Sequence, residues 1–128
     1  MEDTLRSGLL SVVLPSYNEE ASIPRAADTI TAILIDADIP HELVFVDDGS
    51  RDRTWTVIQE QAGRHPQVRG VRFSRNFGKE AAIFAGLAQA RGDCTLVMDC
   101  DLQHPPEKAV EMYRLWQEGY QVVEGVKA

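Results

Sequence analysis

The sequence predicts an α/β protein built on a mostly parallel sheet with flanking helices, and three observations predict it. Short apolar runs at residues 9–14, 43–46, 68–73 and 95–98 alternate with segments whose apolar residues recur at i, i+3, i+4 and i+7. The connections between them are short, which in an alternating pattern favours right-handed βαβ units over separate layers. Each apolar run also hands over to polar residues, on the edge where open parallel sheets bind ligands. At 128 residues the chain is expected to form a single domain, 1–128, able to bury a real core.

Taken in order, the first strand is stopped by Pro15 and followed by Ser16-Tyr17-Asn18-Glu19-Glu20. Ile23, Ala26, Ala27, Ile30, Ile33, Leu34 and Ala37 then mark one face of a helix, with Ser22 or Asn18 to cap it and Pro24 in its first turn. The second strand ends in Asp47-Asp48-Gly49-Ser50. A second helix is expected from Asp52 or Arg53 to Arg64, with Trp55, Ile58 and Ala62 facing inward and Pro66 beyond its end. The third strand leads into Ser74-Arg75-Asn76-Phe77-Gly78-Lys79. The third helix should reach about Arg91 and bury Phe77, Ala81, Phe84, Leu87 and Ala88. Arg91-Gly92-Asp93 turns the chain into the fourth strand, expected to be buried on both faces. Pro105-Pro106 forbids that strand to continue and opens a fourth helix over 107–118, with Val110, Tyr113 and Trp116 inward and Gly119 as its breaker. Residues 120–126 read as a fifth strand, and residues 1–8 as a frayed polar start.

Composition narrows the function. A hydrophobic content of 44% and a charged content of 26% are ordinary for a globular protein. The net charge of −7, with no basic stripe, argues against nucleic acid as a partner. No apolar run is long enough for a bilayer span, and the acidic N-terminus has no secretory pattern. Cys94 and Cys100 match no zinc or redox spacing, which suits a reducing cytoplasm. No Gly-x-Gly-x-x-Gly follows the first strand and no Gly-x-x-x-x-Gly-Lys precedes a helix, so dinucleotide dehydrogenases and P-loop enzymes are poor matches.

The chemistry collects at the strand ends. They carry Tyr17, Asn18 and Glu19; then Asp47 and Asp48; then Arg75, Asn76 and Lys79; then Asp99, Asp101 and Gln103. In a parallel sheet these ends share one rim. Asp99, Asp101 and Gln103 offer hard oxygen ligands for Mg²⁺ or Mn²⁺, with positions left for water or a substrate phosphate. Tyr17 can stack on a base, an Asp can accept the base's ring N–H, and basic side chains can meet a diphosphate. Each residue has a structural alternative: Asp48-Gly49 is a common turn pair, Asp52 a helix cap, Arg75 and Lys79 surface charges. Four polar strand ends in succession are harder to explain that way.

Val13-Leu14-Pro15-Ser16-Tyr17-Asn18-Glu19-Glu20, Val46-Asp47-Asp48-Gly49-Ser50-Arg51-Asp52, Arg75-Asn76-Phe77-Gly78-Lys79-Glu80 and Asp99-Cys100-Asp101-Leu102-Gln103-His104-Pro105-Pro106-Glu107 together resemble the family 2 glycosyltransferases. Within the family they look like the polyprenyl-phosphate branch, which includes dolichol-phosphate mannose synthase and bactoprenol glucosyltransferase. Cys100 stands where a small residue such as Ala is usual. The resemblance implies a GT-A (Rossmann-like) fold, a nucleotide-sugar donor of UDP-glucose or GDP-mannose type, and a polyprenyl or dolichyl phosphate acceptor. It places the work at the cytoplasmic face of a membrane, as an inverting, metal-assisted hexose transfer. By position, Pro15, Tyr17 and Glu19 line the base and ribose pocket, and Asp47 or Asp48 reads the base. Asp99 and Asp101 become the catalytic pair, holding the metal with Gln103, while Arg75, Asn76 and Lys79 serve the donor. Family members continue well beyond the length of this chain, so it is expected to be the donor-binding half, incomplete at its C-terminal side. It would then bind the donor without completing transfer, and an open sheet edge would favour self-association into homo-oligomers. The alternative is a non-catalytic nucleotide-sugar-binding module, or a piece that needs a partner to complete the acceptor site.

Overall fold

The computed structural model describes residues 8–103 and 105–120. Four strands alternate with four helices: β1 (Leu10–Ser16), α1 (Ile23–Asp36), β2 (His41–Asp47), α2 (Thr54–Arg64), β3 (Val68–Arg72), α3 (Lys79–Gln89), β4 (Cys94–Val97) and α4 (Lys108–Gln117). The strands lie in the order β3-β2-β1-β4, and every pairing is parallel. The predicted α/β class is therefore the observed one. Residues 1–7, His104 and residues 121–128, which include most of the expected fifth strand, lie outside the described residues.

The order reverses once, and the helices follow that reversal. From β1 the chain steps outward through β2 to β3, with α1 and α2 on one face. It then crosses back over α3, on the opposite face, to β4 beside β1. Right-handed crossovers demand this change of face when the direction of travel changes. The main core joins Leu10, Val12, Leu14, Leu43 and Phe45 to Ile23, Ala27, Ile30 and Leu34 of α1, Ile58 of α2, and Ala109 and Tyr113 of α4. β1 and β2 are buried along nearly their whole length, as strands covered on both faces must be.

Two expectations are corrected. The third helix buries Ala82 and Gly86, while Phe84 is 71% exposed and Leu87 and Phe77 are also exposed. Bulk pointed to the wrong face because this helix packs by close approach. A Cβ on Gly86 would stand 2.3 Å from Val13 Cγ1. The fourth strand, expected to be covered on both faces, alternates instead: Cys94 and Leu96 are half-buried, Thr95 and Val97 exposed. α3 lies against β1 and β2 and leaves that face of β4 open. On α2, Ile58 is buried as expected, joined by Val57 and Gln61, whereas Trp55 and Ala62 are half-buried against the core.

Candidate active site

The strand order changes direction between β1 and β4, and a ligand crevice is expected at the strand C-termini there. A cavity of about 160 Å³ occupies that place, lined by Pro15, Ser16, Tyr17, Glu19, Asp48, Lys79, Ala82 and Asp99. Six of the residues singled out from sequence meet in it: Pro15, Tyr17, Glu19, Asp48, Lys79 and Asp99. Ser16 and Ala82 were not singled out, since one reads as part of the turn after Pro15 and the other as a small helix residue.

Each wall has a local cause. Pro15 and Ser16 close β1, and Asn18 follows at φ 53°, a left-handed conformation that asparagine tolerates. That kink turns the chain before α1 and leaves Tyr17 42% exposed. The second wall is the loop after β2. Asp47 is buried and does not line the cavity, its Oδ1 accepting from Ser50 N–H at 2.9 Å. Asp48 is also buried, and its oxygens accept from Phe77 N–H at 2.8 Å, from Gly78 N–H and from the Asn76 side-chain amide at 3.1 Å. Asp48 thus pins the loop that opens α3. Gly49, at φ 68°, lets the two loops touch, since a Cβ there would come 2.1 Å from the backbone of Arg75.

α3 begins with Lys79, whose Nζ donates to Asp99 Oδ1 at 2.9 Å across the cavity mouth. Asp101 is not part of the lining and accepts from Gln103 N–H at 3.2 Å and from the Gln103 amide at 2.8 Å. Arg75 lies 5.0 Å above the Phe77 ring, and Asn76 is held by Asp48, so neither lines the cavity. Between the two acids Cys100 turns inward, 3.0 Å from Ser16 Oγ. Burial pushes its thiol up to about 12, so it is an inert filler. Among the described residues no three His, Cys, Asp or Glu side chains are gathered as a self-sufficient metal cage.

A further pair, Asp52 and Thr54, holds the first wall to the second. Burial works against the charge on Asp52. Hydrogen bonds from the Thr54 hydroxyl, Thr54 N–H and Glu20 outweigh it and hold the carboxyl below the usual range.

The family model described as glycosyl transferase family 2 matches residues 11–126. The chain belongs to that family. It is 43% identical over 121 residues to the undecaprenyl-phosphate 4-deoxy-4-formamido-L-arabinose transferase of Pseudomonas aeruginosa, covering 94% of this chain and 36% of that protein. The mannosyltransferase PcManGT from Pyrobaculum calidifontis, solved with GDP-Man and Mn²⁺, aligns at a TM-score of 0.75 and 24% identity, over 94% of this chain and 35% of that one. S. aureus TarS 1-349, solved with UDP, aligns at a TM-score of 0.59 and 28% identity, over 72% of this chain and 27% of that one. The GT-A fold implied by the motifs is thereby borne out. This glycosyltransferase chain spans about a third of the length of the curated relatives it matches. Among its described residues no helix is long and apolar enough to cross a membrane.

Proposed function

We propose that this chain supplies the donor-binding part of an inverting glycosyltransferase that moves a sugar from a nucleotide-sugar to a polyprenyl phosphate at the cytoplasmic face of a membrane. The observation that carries the reading is the convergence of Tyr17, Glu19, Asp48, Lys79 and Asp99 on one cavity at the sheet's reversal point, with Asp101 two residues after Asp99 in the chain. The acceptor class is supported by the undecaprenyl-phosphate relative, and a nucleotide in the cavity by the UDP-bound one. The motifs imply a hexose, whereas the relative is named for an arabinose derivative, a pentose, so the proposed transfer is of a sugar of either size.

In this reading the exposed Tyr17 ring stacks on the base and the Glu19 carboxylate accepts from ribose hydroxyls. Of the two acids proposed to read the base, Asp48 lines the cavity, while Asp47 lies outside the lining and holds the loop through Ser50 N–H. Lys79 exchanges its bond to Asp99 for the donor diphosphate, with Arg75 and Asn76 flanking it. The donor set of Asp99, Asp101 and Gln103 fits Mg²⁺ or Mn²⁺, which are held by one or two carboxylates completed by substrate phosphates and water. When bound, such a cation supplies charge that offsets what builds up on the departing nucleoside diphosphate. The acceptor phosphate is ionised at neutral pH, so its attack on the anomeric carbon needs no general base from this chain.

The test is calorimetry of the chain with UDP, GDP, UDP-glucose and GDP-mannose, with and without Mn²⁺. At least one nucleotide should bind, more tightly with the metal. Asp101→Ala should remove the metal enhancement and leave circular dichroism unchanged, because Asp101 is exposed and bonds locally. Equal affinity with and without metal in the unmutated chain would sink the metal assignment.

A further inference from the structure

The cavity wall that carries Tyr17 and Glu19 is irregular backbone, and such backbone keeps one shape only if its polar groups find partners. They find them on the loop between β2 and α2. Asn18 N–H donates to Ser50 Oγ at 2.8 Å, and Asn18 Oδ1 accepts from Arg51 N–H at 2.9 Å. Glu19 N–H donates to Thr54 Oγ1 at 2.9 Å, and the Thr54 hydroxyl donates onward to Asp52 Oδ1. Glu20 N–H reaches the other oxygen of Asp52 at 3.4 Å. Thr54 is fully buried, so water cannot replace its hydroxyl.

We propose that Thr54 is a positioning residue for nucleotide binding. Its hydroxyl relays the Glu19 N–H to the Asp52 carboxylate and so fixes the segment from Tyr17 to Glu19 against the cavity. The inference rests on reading that cavity as the nucleotide site. A hydroxyl rotates freely until its proton is committed. Here Asp52 commits it, and the Thr54 lone pair is left aimed at Glu19 N–H. A charged terminal acceptor strengthens each bond in such a chain. Asp52 Oδ1 also accepts from Thr54 N–H at 2.9 Å, so the carboxylate that opens α2 also tethers the wall. One Asp-x-Thr spacing therefore serves two elements. Asn18, bonded through both its N–H and its side chain, keeps the same segment from swinging about its left-handed residue.

The test compares Thr54→Val, which keeps the volume and removes the hydroxyl, with Thr54→Ser, which restores it. Dissociation constants for UDP and GDP are measured by calorimetry with Mn²⁺ present, alongside the thermal midpoint of each variant. Thr54→Val should weaken the nucleotide that the unmutated chain binds by about three- to tenfold, the worth of one lost hydrogen bond. Thr54→Ser should return affinity to within about twofold of the unmutated chain, since the bond is remade. Should Thr54→Val fail to fold, Ser50→Ala decides the matter from outside the helix, because it removes only the partner of Asn18 N–H and should weaken binding in the same direction. A Thr54→Val chain with a lower midpoint and unchanged affinity makes the residue purely structural and overturns the inference. So does a Thr54→Ser chain that stays weak, or an unaffected Ser50→Ala where that variant decides. If the unmutated chain binds neither nucleotide, the nucleotide reading itself falls, and this inference with it.

Discussion

At the scale of the residue, the cavity separates side chains that face a ligand from side chains that hold the walls. Tyr17 belongs to the first group: it is 42% exposed and lines the cavity together with the charged side chains of Glu19, Asp48, Lys79 and Asp99. If its ring is the base platform, Tyr17→Ala should weaken nucleotide binding by about 1–3 kcal/mol, the range found for aromatic platforms. Isothermal titration alongside circular dichroism checks this, and an unchanged affinity with an intact fold returns Tyr17 to a packing role. Asp48 belongs to both groups, since it lines the cavity while its oxygens take the N–H groups of Phe77 and Gly78. Sequence showed the acid but not its engagement. An Asp-Asp pair after a strand reads alike whether it faces a ligand or a loop 28 or more residues further on. The same limit hid Thr54, whose hydroxyl reads as a helix start until the loop across from it is placed.

At the scale of the element, period and punctuation were legible and packing distance was not. The starts and stops of α1, α2 and α4 follow from Pro24, Pro66, Pro105-Pro106 and Gly119, which act locally. α3 shows where that reasoning fails. Its large apolar residues point outward because the buried stripe of Ala82 and Gly86 lets the helix sit against Val13 and Val46. A period test weighted by hydrophobic bulk cannot see a stripe of small residues. Gly86→Ala therefore sets two effects against each other. It gains about 0.5–1 kcal/mol of helix preference. It also forces a methyl onto the fully buried Val13, and overpacking of this kind costs about 1–3 kcal/mol. Overpacking should win, lowering the urea midpoint. Phe84→Ser, at a site 71% exposed, should change stability by no more than about 0.5 kcal/mol. The reverse ranking in urea denaturation would mean that α3 turns its other face to the sheet.

At the scale of the whole molecule, the two ends of the sheet do different work. The strand C-termini hold the cavity, and its acids were legible because they break the apolar runs. The opposite end is closed by a network that no motif announced, centred on Glu42, which is only 6% exposed. Glu42 accepts from Ser11 Oγ and Arg91 N–H at 2.6 Å each, and from the Arg69 guanidinium at 2.8 Å and 3.0 Å. Arg69 also donates to Gln89 O, and Gly92 N–H to Ser11 Oγ. β1, β2, β3, the end of α3 and the turn into β4 are thus tied to one carboxylate. In the sequence Glu42 is only the polar residue ahead of the apolar run 43–46, and only the crossing chains reveal its partners. Burial works to raise the Glu42 pKa, but donation from Arg91 N–H, Ser11 and Arg69, with the Arg69 charge, outweighs it and holds the carboxyl below its ordinary value of 4.5. A group whose pKa is lowered on folding stabilises the fold fully above its unfolded value, and that contribution is lost as pH falls through the folded value. The network should therefore contribute at neutral pH and fade below about 4.5. Glu42→Gln keeps one acceptor oxygen and loses the charge, so it should cost about 2 kcal/mol at neutral pH, the scale of a hydrogen bond to a charged group. Other carboxylates also titrate in acid, so the quantity to follow is the difference in unfolding free energy between the two chains, from urea curves at about pH 3 to 7. That difference should hold steady down to about 4.5 and then shrink, because protonating Glu42 makes the unmutated chain resemble its variant. A difference that stays constant into acid would show that the carboxylate's charge is not what closes this end of the sheet.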